Sequence, residues 1–136
     1  MSAEIRGTLG DTTPESAQLA AAETYTASSL EAAQALAAGL EFWGEGKWDE
    51  AAGRYREAIR LEPELGRAYA GLAAVYRNNG ELQEAEEQFE LAMKNIDRMS
   101  ERERFKVRGG YFLVTGNYAK AVEELSSLIE KYPADF

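Results

Sequence analysis

The side chains of this chain that could move protons or recognise ions are carboxylates, lysines and arginines, because the 136 residues include neither histidine nor cysteine. Losing imidazole removes the commonest general base and every nucleophile triad built on it; losing thiolate removes disulfides and soft metal sites. Two carboxylate pairs stand out, Glu86 with Glu87 and Glu123 with Glu124. Adjacent residues on a helix point about 100 degrees apart, so neither pair converges on one reacting atom. No catalytic residue, metal ligand or cofactor is therefore expected. Ionic recognition is the chemistry that remains. Arg67, Arg77 and Lys106 can hold acidic groups of a ligand, the arginines in a bidentate manner. Trp43 can anchor a partner side chain. The run Arg102-Glu103-Arg104 reads instead as a salt-bridged helix exterior.

These residues work together only if helices bring them to one surface, and the chain supplies helices by repetition. Gly46-Lys47-Trp48-Asp49-Glu50-Ala51 returns as Gly80-Glu81-Leu82-Gln83-Glu84-Ala85 and again as Gly116-Asn117-Tyr118-Ala119-Lys120-Ala121, at intervals of 34 and 36 residues. The aromatics Phe42, Tyr76 and Phe112 keep both intervals, as do Tyr55, Phe89 and Leu125. A period near 34 residues marks a helical solenoid whose units bury their apolar faces only by stacking. Hydroxyl, acid and proline signals place helices near 29–44, 48–61, 66–79, 82–97, 101–114 and 118–131. Ser28 and Glu31 form an expected capping box before the first, and Asp49 and Glu50 suit the amide end of the second. Gly46, Gly80 and Gly116 supply left-handed turns between paired helices. The two extra residues after the second unit, in Asp97-Arg98-Met99-Ser100, are expected to extend a helix or alter the superhelical step.

The pattern resembles the tetratricopeptide repeat, over about residues 28–136. The middle unit matches best, with Tyr69, Leu72, Ala73 and Tyr76 followed by Ala85, Phe89 and Ala92. Gly39, Ala73 and Gly109 take the close-contact place. Arg108 stands where the family prefers an apolar residue, and Asp97 replaces a closing proline. The resemblance implies an all-α, right-handed α-α superhelix of about three helix-turn-helix repeats, near 32–65, 66–101 and 102–136. Residues 1–27 form a separate N-terminal segment, partly disordered or a short packing helix from Thr13-Pro14-Glu15.

In this family the first helices of successive repeats line a concave groove. Helical phase projects into it Leu36, Leu40 and Trp43, then Arg67, Ala70, Ala74, Arg77 and Asn78, then Lys106, Gly110, Leu113 and Val114. Trp48, at the turn position, is assigned to packing. The resemblance implies an interaction module that holds a protein or peptide segment in this groove without a chemical step. The family's clamp for acidic chaperone tails uses a lysine and asparagines at places occupied here by Leu36, Leu40, Gly71, Glu103 and Val107, which speaks against that specificity. A second implied role is a regulatory segment of a larger bacterial signalling protein, because Thr24–Ala32 and Glu101–Phe105 resemble the tetratricopeptide tails of some serine/threonine kinases and winged-helix regulators.

Charge narrows the partners further. The 24 acidic and 15 basic residues give a net charge of −9, which opposes nucleic acid and anionic membranes as partners. There is no apolar stretch of membrane-spanning length and no hydrophobic core of a secretory signal in Met1–Gly10, so a cytoplasmic location is expected. Arrays of this family commonly close with a helix of polar outer face. None follows the helix that carries Leu125, Ile129 and Tyr132, so the chain is expected to self-associate, most simply as a homodimer through these three residues or through exchange of the N-terminal segment.

Overall fold

The computed structural model describes residues 29–133; the expectations for the N-terminal segment and for Ser28 lie outside them. Six α-helices and no strand occupy the described residues: α1 (Leu30–Gly44), α2 (Trp48–Leu61), α3 (Gly66–Asn78), α4 (Leu82–Lys94), α5 (Glu101–Val114) and α6 (Tyr118–Lys131). They pack as antiparallel pairs, α1 with α2, α3 with α4 and α5 with α6, and the pairs join through α2 on α3 and α4 on α5. Contacts of α3 with both α1 and α5 bring the first helices together on one side of this α-α superhelix. No described helix is long and apolar enough to cross a membrane.

The sequence repeat reappears as three identical turns. Gly46, Gly80 and Gly116 have φ of 75°, 79° and 81°, the left-handed region where a side chain is strained. After each one, the next residue's N–H reaches back to the aromatic of the repeat: Lys47 to the Phe42 carbonyl, Glu81 to Tyr76 and Asn117 to Phe112, each at 2.9 Å. These bonds satisfy carbonyls that a helix end leaves open. Helix α1 begins at Ser29, whose Oγ accepts the Ala32 N–H at 3.1 Å.

Two features depart from expectation between the second and third pairs. Helix α4 stops at Lys94 rather than near 97, and the added residues form a 3-10 turn at Ile96–Arg98 followed by an extended Met99. Met99 is buried and its methyl fills the space beside Gly66, so the insertion plugs the junction instead of lengthening a helix. Arg98 pairs there with Glu64 and lies 4.0 Å from Glu62. Secondly, Arg102 and Glu103 are not exterior: they are 5% and 0% exposed. Glu103 belongs to a capping box that starts α5, its carboxylate accepting the Ser100 N–H at 2.9 Å while Ser100 Oγ accepts the Glu103 N–H. The box draws the carboxylate inward to the helix start, which the alternation of charges did not reveal.

One side chain per pair fastens the stack. The ring of Tyr55 on α2 lies against Gly39 of its own pair and Gly71 of the next; Phe89 on α4 reaches Gly110 of α5; Leu125 on α6 rests on Gly109. Glycine at these places lets the helices approach until the rings fill the gap. Arg108, polar where an apolar residue was expected, is held by Glu124 at 3.0 Å and lies over the Phe105 ring.

A candidate partner-binding groove

Because the first helices are neighbours, their facing side chains enclose a cavity of about 330 Å³. Helix α3 contributes its central wall. Arg67, Ala70, Ala74 and Arg77 follow one another at spacings of three and four residues, a single face of the helix, and Gly71 lies beside them. Trp43 closes one side from α1; Lys106, Gly110 and Leu113 form the other from α5. With glycine at 71 and 110, the rings of Tyr55 and Phe89 reach the cavity from behind, joined by Leu125 and Leu128.

Trp43 has a fixed place in this wall. Its ring lies 4.6 Å from that of Trp48, tilted by 58°. The turn residue, assigned to packing, thus supports the residue assigned to the groove. The sequence treated the two as separate cases, and the structure makes them one unit.

The cavity is electrostatically opposite to the chain as a whole. Three cations line it and, among the described residues, no carboxylate does. Arg67 and Arg77 take part in no ion pair among the described residues. The Nε of Arg67 is shut off from solvent and lacks a hydrogen-bond acceptor. Burial holds the Arg77 guanidinium below the usual arginine range. Burial also pushes the Tyr55 phenol up, an effect that the nearby Arg67 charge partly offsets. A partly buried cation without an anion carries a desolvation cost, so this surface favours a ligand that brings negative charge.

Among the residues projected into the groove, Trp43, Arg67, Arg77, Lys106 and Leu113 line this cavity, with Ala70, Ala74 and Gly110. Four others do not. Leu36 has no exposed surface and belongs to the first core with Ala32, Ala35 and Tyr55, because Ala32, Ala35, Leu36 and Gly39 form one buried stripe of α1. Leu40 packs half-buried on that same core, and Val114 packs on the second core with Phe89 and Val107. Asn78 is exposed at the end of α3, away from the cavity. The contributions of Tyr55, Phe89, Leu125 and Leu128 were not foreseen, although glycine in the middle of a helix, as at 71 and 110, is itself a signal of close approach.

The self-association residues also need correction. Leu125 turns inward onto Gly109 and the cavity, and the Tyr132 hydroxyl donates to Glu101 at 2.9 Å. Ile129 is exposed, and its exposed apolar neighbours on α6 are Tyr118 and Val122.

Residues 36–97, spanning the first two helix pairs except for the start of α1, match the family model described as tetratricopeptide repeat. A search of curated proteins returned no match.

Proposed function

We propose that the chain is a tetratricopeptide-repeat binding module that holds a segment of a partner protein in the groove between α1, α3 and α5; residues 36–97 match that family, whose repeats generally mediate protein-protein interaction. The observation that carries this reading is the cavity itself: one concave surface, assembled from all three helix pairs, with Trp43 as an apolar anchor and Arg67, Arg77 and Lys106 as ionic contacts. Its volume falls within the usual range of ligand sites, about 300–1,000 Å³. Binding of this kind needs preorganised shape and a few anchors, and no bond is made or broken.

The test is a pull-down comparing the wild-type chain with Trp43→Ala, Arg67→Ala and Arg77→Ala combined. A partner recovered by the first and lost by the second, at equal helicity and melting temperature, supports the groove; equal recovery refutes it. A second surface supports self-association. Tyr118, Val122 and Ile129 are 65%, 63% and 49% exposed on α6. At the repeat position of Ile129, Ile59 packs on the first core and Met93 on the second. Two copies of the chain that met through α6 would cover this stripe.

A further inference from the structure

The cations of the groove are spaced, and the spacing describes a ligand. Arg67 and Arg77 stand ten residues apart on one face of α3, about 15 Å along the axis at 1.5 Å per residue. Between them that face offers Ala70, Gly71 and Ala74, and α5 adds Gly110 alongside. Two positive ends are thus separated by a strip of small residues, bordered by the Trp43 ring and underlain by Tyr55 and Phe89. An extended peptide advances about 3.3–3.6 Å per residue, so groups that meet both arginines lie about four residues apart.

Resting on the groove reading above, we propose that the segment taken is an acidic stretch of a partner protein in which two carboxylate side chains flank one bulky apolar residue. The carboxylates meet Arg67 and Arg77, and the apolar side chain fills the small-residue strip against Trp43. Charge-assisted hydrogen bonds to the guanidinium groups that line the cavity offset the cost of these partly buried cations, which have no ion-pair partner among the described residues. A short acidic segment brings a few charges to a local basic site. A polyanion such as single-stranded nucleic acid must instead approach a chain of net charge −9 along much of its length.

The experiment uses fluorescein-labelled Gly-Ser-Glu-Ala-Phe-Ala-Glu-Ser-Gly, with versions carrying glutamine or lysine for both glutamates, or serine for phenylalanine, and a labelled thymidine oligonucleotide. Fluorescence polarisation at low salt is measured against wild type, Arg67→Gln/Arg77→Gln, Trp43→Ala and Arg54→Gln, the last changing an arginine outside the groove that pairs with Glu57. The acidic peptide is expected to bind at least about ten-fold tighter than its glutamine, lysine and serine versions. Charge-assisted bonds set the loss at about ten- to a hundred-fold per arginine, so the double arginine variant is expected to bind at least about a hundred-fold more weakly, with Arg54→Gln unchanged. Far-ultraviolet circular dichroism verifies that each variant is folded. If the glutamine peptide binds as tightly as the acidic one and Trp43→Ala still weakens both, the groove reading stands and the acidic specificity falls. If no peptide binds, or binding ignores Trp43 as well as the arginines, both fall. An oligonucleotide that displaces the acidic peptide and depends on the same arginines overturns the proposal in favour of nucleic acid.

Discussion

Gly71→Ala is the substitution whose consequence the structure determines most directly. A Cβ at this position falls 2.6 Å from Cζ of Tyr55 and 2.7 and 2.8 Å from its two Cε atoms, about 0.8 Å inside ordinary contact. The ring has little room to withdraw. It is 1% exposed, and Gly39 of α1, where a Cβ would fall 2.6 Å from the same ring, hems it in. Forcing an extra methyl into such a site costs about 1–3 kcal/mol. Exchanging glycine for alanine inside a helix returns about 0.8–1 kcal/mol in backbone entropy. The net effect is a loss of about 1 kcal/mol, which lowers the melting temperature of a domain this size by about 3–5 °C. Gly53→Ala is the internal reference, since Gly53 is exposed within α2 and an added Cβ meets nothing within 4 Å. It carries the same helix gain without the clash and should raise stability by about 0.5–1 kcal/mol. Urea denaturation of both variants reads the difference, about 2 kcal/mol, as the packing cost alone. A difference below about 0.5 kcal/mol would refute the bracketing of Tyr55 between α1 and α3.

Other perturbations test other joints of the stack. Ser100→Ala breaks the capping box that starts α5 and should cost about 1 kcal/mol in urea denaturation. Hydrogen bonds from Lys131 and Tyr132 hold the Glu101 carboxyl below its usual range. A depressed pKa stabilises the fold above the unfolded value and loses that contribution as pH falls through the folded one. Glu101→Gln should accordingly melt slightly below wild type at neutral pH, and the gap should close on acidification. The same contact raises the Tyr132 phenol, so its share is lost at the opposite, alkaline end. Ile129→Glu should shift a dimer toward monomer in light scattering across a dilution series, and a wild-type chain that stays monomeric at high concentration contradicts self-association.

Helix positions were legible because their signals are local. The glycine at 46, 80 and 116 marks each turn inside a pair, and α2, α5 and α6 begin and end where the repeat places them. The junction after α4 was less legible, since no proline stops the chain there and Asp97 was read as helix. The box at Ser100 was visible in principle, as serine three residues ahead of Glu103, but the alternating charges that follow suggested an exposed face. Groove residues on α3 followed from periodicity, because Arg67, Ala70, Ala74 and Arg77 share one phase. Leu36 did not, since the stripe Ala32, Ala35, Leu36 and Gly39 faces the core and the projection was turned on α1. The part played by Tyr55 and Phe89 depends on how closely neighbouring helices approach, a tertiary distance that spacing in the sequence does not encode.

In the proposed mode of binding, the groove on α3 and α5, rather than the outer helices, receives the partner. Backbone amide shifts of the 15N-labelled chain, titrated with the acidic phenylalanine peptide, test it most directly. Binding in the groove should move the amides of Ala70, Gly71, Ala74 and Gly110 and the indole N–H of Trp43 together along one binding curve, while those of Gly53, Glu87 and Val122 stay still. Shifts concentrated on α2, α4 or the Val122–Ile129 face, with Gly71 and Trp43 unmoved, would contradict it.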